Sequence, residues 1–217
     1  MKLYSYIVMH DRGFAPNPFW GFCTLACCKP SIRRVVGKNY PLDDDYWIVG
    51  LSPKAKGNKI VYVMQVSEVI SFDEYFTNKK YEVKKPDFKK KEIIYRVGDN
   101  IYQPLGNGNY KQLRSCHSKN CKSESWEEDP KKKREDLCGK YVLISNHFYY
   151  FGSKAEDLRE DLKELIVGRN YRCNFNDETK SHFQEYVQEH ISKQYKIGVN
   201  APPSKWNKND TSWEQFL

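Results

Sequence analysis

The chain has 217 residues, with 36 Lys+Arg against 28 Asp+Glu for a net charge of +8, and 39% hydrophobic and 15% aromatic residues. That length and apolar share suit one domain with its own core. No run approaches the roughly 20 apolar residues of a bilayer span, and collagen, coiled-coil and low-complexity classes fail on composition. The basic balance points toward a polyanionic partner without choosing one.

Leu3 to Met9 is rich in β-branched and aromatic residues and predicts a strand, followed by a loop through Asp11, Gly13, Pro16, Asn17 and Pro18. The opening apolar stretch is broken by Ser5 and ended by His10-Asp11-Arg12, which excludes a signal peptide. The seven cysteines then read as reduced thiols of a cytoplasmic protein. Tyr46 to Leu51 and Lys59 to Val66 predict two further strands, joined by a hairpin-like connection with Pro53, Gly57 and Asn58.

Residues 77–92, with Lys79, Lys80, Lys84, Lys85, Lys89, Lys90 and Lys91, read as an exposed loop. Ile93–Val97 and Ile101–Gln103 read as short β-like pieces, with a turn at Gly106-Asn107-Gly108. Residues 114–139 predict a polar loop, and 140–145 and 147–151 return to strand composition. Ser153 and Glu156 have capping-box spacing, and Leu158, Leu162, Leu165 and Ile166 follow with helical period, so an amphipathic helix is expected over 154–166. A second helix is expected over about 177–195, with Phe183, Tyr186, Val187 and Ile191 on one face. Beyond Gly198, Pro202, Pro203, Trp206 and Trp213 mark either a docked strap or a loose end.

This organisation predicts one α+β domain over 1–217: a β-rich body to about 152, a helical part over 153–197 and a tail over 198–217. Cys23, Cys27, Cys28, Cys116, His117, Cys121 and Cys138 include soft ligands at C-x3-C and C-H-x3-C spacing; structural zinc on Cys23, Cys27, Cys116, His117 and Cys121 stands beside the default of reduced thiols. No other cofactor is expected, because no phosphate-cradling or dinucleotide-binding glycine loop is present. Cys116 beside His117, or Ser145 near His147, offers atoms for a nucleophilic relay, without a nucleophile-elbow motif. Arg33, Arg34, Arg169 and Arg172 lie in two short blocks, the latter two interleaved with aromatics, as in a phosphate-gripping surface or as helix-capping and ion-paired arginines.

The blocks DRGFAPNPFWGFCTLACCKPSIRR, DDDYWIVGLSPK, VSEVISFDEYF, GDNIYQPL, VLISNHFYYFG and GRNYRCNF resemble, in this order, the nucleotide modification associated domain 2 family. Where that family tends to carry His in its G-R-x-H-R stretch, this chain has Tyr171. The resemblance implies association with systems that modify or recognise DNA bases, with DNA or a modified nucleotide and base-modification enzymes as partners, and no membrane. It also suggests a small PUA-like β-barrel, or a strongly curved mixed sheet, with the C-terminal helices packed against it. In such a cleft Asn17, Trp47, Asp99, Asn100 and Tyr102 would line a base pocket, with Trp47 equally suited to the core, and the four arginines would hold phosphate. If the protein is instead an enzyme acting on a base or free nucleotide, Asp11, Asp99 and His147 are the candidates for proton transfer.

Overall fold

The three strongest β-type runs become neighbours in one sheet. The computed structural model describes residues 1–41, 43–207 and 209–216. Strands β1 (Lys2–Ile7) and β3 (Tyr46–Leu51) pair in parallel, and β3 pairs antiparallel with β4 (Ile60–Gln65), as the Pro53/Gly57/Asn58 connection predicts. With β9 (His147–Tyr150), β10 (Tyr171–Arg172) and β11 (Gly198–Val199) they form a mixed six-stranded sheet in the order β10-β1-β3-β4-β9-β11. A second sheet orders β2 (Cys23–Leu25), β8 (Tyr141–Ser145) and β5 (Glu68–Ser71) as β2-β8-β5. The Gly106-Asn107-Gly108 turn closes the β6 (Tyr102–Gly106) and β7 (Asn109–Gln112) hairpin. The strands among the described residues close into no barrel; the mixed-sheet alternative is what forms.

Alternation along the strands sends side chains to opposite faces of the large sheet. Leu3, Trp47, Val49 and Val63 face the C-terminal helices, α5 (Asp177–Glu185) and α6 (Ser192–Gln194), which are joined by a π-helical turn over Tyr186–Ile191; Phe183, Tyr186, Val187 and Ile191 pack there. Asn176 caps this helix by accepting from the Thr179 N–H at 2.7 Å. Tyr4, Tyr6, Ile48, Tyr62 and Met64 face the other way, onto the small sheet and α1 (Pro30–Lys38), whose Ile32 and Val36 are buried.

Several expectations are overturned locally. No α-helix forms over 154–166: Glu156 exchanges two backbone hydrogen bonds with Ile60 at 2.7 and 2.9 Å, and this sheet-edge pairing removes the first helical turn. A 3-10 turn over Glu160–Leu165 still buries Leu162 and Leu165. The lysine stretch holds a 3-10 turn over Lys79–Lys84, and Lys84 is fully buried. Ile93–Arg96 is a short helix, α3, rather than a strand. The polar 114–139 region contains α4 (Pro130–Leu137), capped by Asp129, whose carboxylate accepts from the Lys131 and Lys132 N–H groups. Helices α1 and α2 (Phe72–Thr77) were not expected. The tail is a docked strap: Trp206 is buried and its indole donates to the Arg12 carbonyl at 2.8 Å. Lys208 and Leu217 of that tail lie outside the described residues. Among the described residues no helix is long and apolar enough to cross a membrane.

Candidate active site

Past β2 the chain turns through Cys28 at φ 60° and Lys29 at φ 41° before Pro30 opens α1. Two consecutive non-glycine residues in the left-handed region are costly, and they persist only where surroundings hold them. Here both backbone groups of Cys28 are held by side chains. Its N–H donates to Asp136 Oδ1 at 2.7 Å, and its carbonyl accepts from Arg33 Nε at 2.9 Å. Arg33 also donates to the carbonyls of Tyr141 (2.8 Å) and Asp136 (2.6 Å), and has no exposed surface. Its guanidinium is thus a clamp between α1 and the end of α4, and the phosphate-gripping role expected of it is not available to a group sealed from solvent.

The clamp sets three side chains in line. His117 Nδ1 donates to Asp136 Oδ2 at 2.6 Å, which leaves Nε2 as the atom 3.4 Å from Cys28 Sγ. The Tyr102 hydroxyl also donates to Asp136 Oδ2, at 2.6 Å. The ring of Phe14 meets the imidazole edge-on at 4.8 Å and restricts its rotation. Burial alone would depress the His117 imidazolium; the hydrogen bonds to Asp136 and Cys28 and the Asp136 charge outweigh it and raise the pKa to about 9. Burial likewise pushes the Asp136 carboxyl up, yet His117, Tyr102 and the Arg33 charge hold it below the usual carboxylate range. The two shifts agree on a buried imidazolium–carboxylate pair beside a thiol.

These groups line a cavity of about 600 Å3. Tyr6 and Phe14 contribute aromatic surface, Lys29 and Arg12 contribute cations, and Lys132 is paired with Glu135 at 2.9 Å. Lys29 Nζ stands 4.8 Å from the centre of the Tyr6 ring, and burial lowers its pKa. No side chain caps α1, whose first residues Pro30 and Ser31 also line the cavity.

The other expected site residues lie elsewhere. Asp99 is fully buried, accepting from the Thr24 and Tyr75 hydroxyls at 2.7 Å each, and burial raises its pKa. Asn17 accepts from Lys84 Nζ at 2.8 Å, and Asn100 donates to the Tyr75 and Tyr81 carbonyls. Asn17, Asp99 and Asn100 are therefore interior fasteners that do not line this cavity. Trp47 packs on Phe183 in the core and does not wall a cleft. His147 bonds Gln65 Oε1 at 2.8 Å, and its pKa is lowered by burial. Asp11 anchors the tail, accepting from the Ser204 N–H at 2.6 Å and from the Tyr150 hydroxyl. None of Asp11, Asp99 and His147 lines the large cavity.

Of the arginines, Arg34 donates to Cys138 Sγ at 2.9 Å, Arg172 donates to the Glu164 carbonyl at 2.8 Å, and Arg169 is exposed beside Asn170, which does line the cavity. Of the zinc candidates, Cys116 and His117 line the cavity, Cys23 and Cys27 are buried, and Cys121 is half-buried. Among the described residues Cys27, His117 and Asp136 present possible ligand atoms within 4.8 Å of one another. Burial raises the Cys27 thiol well above its ordinary pKa, and its sulfur already donates to the Asp99 carbonyl.

Sequence reasoning thus had His117 in hand as the imidazole of a cysteine relay, but paired with Cys116, had Cys28 only as one of the clustered cysteines, had Arg33 and Tyr102 in other roles, and missed Asp136 altogether. A possible signal was Cys-Cys-Lys-Pro, an abrupt helix start with no Ser, Thr, Asp or Asn cap. The sequence pattern of the nucleotide modification associated domain 2 family matches residues 1–210. No curated protein and no solved structure matches the chain.

Proposed function

The chain belongs to the nucleotide modification associated domain 2 family, and from that premise we propose that the Cys28/His117 cavity is a nucleotide site, holding a free nucleotide or a base turned out of DNA. The family implies association with nucleotide modification systems, and the partners on this reading are DNA or a modified nucleotide together with enzymes of the same system. The observation that carries the reading is the cavity itself: about 600 Å3, with Tyr6 and Phe14 as aromatic surface and Arg12 and Lys29 as cations. Pockets of roughly 300–1,000 Å3 accept small ligands, and a base with its phosphate needs both an apolar face and a fixed positive charge. Arg169, exposed next to Asn170, extends the positive surface toward an attached strand. A thiol and an imidazole in contact at the cavity wall favour chemistry on the bound group over passive capture.

Equilibrium binding of nucleoside monophosphates and short oligonucleotides, plain and base-modified, tests the site. Arg12→Ala and Lys29→Gln should each weaken binding about tenfold and flatten its salt dependence. Affinity indifferent to both changes would remove the cavity from consideration.

A further inference from the structure

We propose that Cys28 is a covalent nucleophile for an acyl or amide carbon, with His117 carrying the proton and Asp136 as a positioning residue. That the acyl group is borne on a nucleotide rests on the reading above; the thiol chemistry does not.

The inference starts from what distinguishes Cys28 among seven cysteines. Cys116 shares the cavity, but burial pushes its thiol up to about 11, and burial raises Cys23 and Cys27 as well. Among the described residues Cys28 is the cysteine whose sulfur is in hydrogen-bond contact with an imidazole nitrogen, at 3.4 Å, whereas Cys27 lies near the same imidazole but donates to the Asp99 carbonyl; that imidazole is oriented by a carboxylate at 2.6 Å. Nucleophile, base and orienting acid within contact distance are the geometric signature of an activated nucleophile, whatever the fold or the chain order. The backbone supports the same reading. Cys28 is kept in the left-handed region by Asp136 and Arg33, so the carboxylate that orients His117 also fixes the nucleophile's main chain. A conformation held by two buried charged groups from outside its own turn is one the fold maintains actively. The thiol is half-buried and lines the cavity, so a substrate carbon can reach it.

The step balances without an oxidant or reductant. Sγ and His117 Nε2 share one proton; it rests on Nε2, completing the imidazolium, as a sulfur lone pair forms the S–C bond and the carbonyl π pair moves onto oxygen. When the carbonyl re-forms, the C–N or C–O bond breaks and the leaving amine or alcohol takes the proton from Nε2. Water or an acceptor amine then attacks the thioester, giving its proton to His117, and the C–S bond breaks to restore the thiol.

Alkylation of the intact protein with iodoacetamide, mapped by mass spectrometry, reads the nucleophile. Cys28 should react at least tenfold faster than the exposed Cys138 at pH 6.5, and His117→Gln should abolish the difference. Asp136→Asn should shift the pH profile of that reaction; should it not fold, His117→Gln carries the test. With p-nitrophenyl acetate, an acetyl group should accumulate on Cys28 of the wild type and be absent there in Cys28→Ala. Labelling of Cys28 no faster than Cys138, or unaltered by His117→Gln, overturns the proposal, as does failure of p-nitrophenyl acetate to acylate it. An adduct that retains an entire base on Cys28 overturns the acyl assignment. Nucleotide binding by the same wild-type preparations keeps the two readings apart. Binding without acylation defeats the thiol inference alone, and acylation that no nucleotide slows defeats the nucleotide site alone.

Discussion

Two buried polar clusters meet along the five residues from Thr24 to Cys28, and they are built for different ends. Around Asp99, the Thr24 and Tyr75 hydroxyls and the Ala26 N–H all donate to one carboxylate, while Lys84 donates to the Asn17 and Phe22 carbonyls and to the Asn17 side chain. Around Asp136, His117, Tyr102 and the Cys28 N–H donate to the carboxylate and Arg33 to its backbone carbonyl. Both satisfy their buried groups, as interiors require. The difference is the outlet. The Asp99 cluster ends on backbone carbonyls away from the Cys28/His117 cavity, whereas the Asp136 cluster ends on a thiol in that cavity's wall, about 600 Å3 in volume. A closed network fastens elements together; the same chemistry with one open end can act on a ligand.

The sharpest way to separate the two is to break the closed one. Lys84→Met takes the charged donor from three oxygens and removes the charge that opposes the burial penalty on Asp99. The expected loss is about 3–5 kcal/mol in denaturant unfolding, while Cys28 alkylation in the folded fraction stays at its wild-type rate. Were the alkylation rate to fall with stability, the clusters would be one unit and the comparison would fail.

A smaller effect follows from pH. The His117 pKa is raised from about 6.5 to about 9, so the pair's stabilisation is fully present below the unfolded value and is lost as pH rises through 9. Denaturant melts should show roughly 2–3 kcal/mol less stability at pH 9.5 than at pH 6.5 in excess of the change in His117→Gln. Equal pH dependence in the two proteins would contradict the ion pair.

The mildest perturbation reaches the open cluster from behind. A Cβ at Gly139 would lie 2.3 Å from the Arg33 guanidinium, so Gly139→Ala must displace the clamp at a cost of about 1–3 kcal/mol. Cys28 alkylation should slow severalfold, since the clamp holds its carbonyl. An unchanged rate in a destabilised protein would show that Arg33 fastens α1 without tuning the thiol.

Much of the scaffold was legible because its signals are local. Continuous runs of β-branched and aromatic residues marked 46–51 and 59–66 as strands, Gly-Asn-Gly marked the β6/β7 turn, and the 3.6-residue period over Phe183, Tyr186, Val187 and Ile191 marked the C-terminal helix. Legibility failed where a distant partner competed. Leu158, Leu162 and Leu165 have helical spacing, yet Glu156 pairs with Ile60 and the segment becomes extended and then 3-10. Lys84 sits in a lysine run and is buried, because Asn17 and Phe22 supply three acceptors from more than 60 residues away.

The sequence by itself determined the α+β class and the nucleotide modification associated domain 2 family, with the main strands and the last helix, because propensity, period and turn chemistry act over a few residues. The Cys28, His117 and Asp136 constellation was decided by tertiary structure alone. Cys28 reaches His117 across 89 residues and Asp136 across 108, and no spacing in the chain encodes such a meeting. The same is true of Arg33: its charge was visible, but only burial against the Cys28, Asp136 and Tyr141 carbonyls made it a clamp rather than a phosphate ligand.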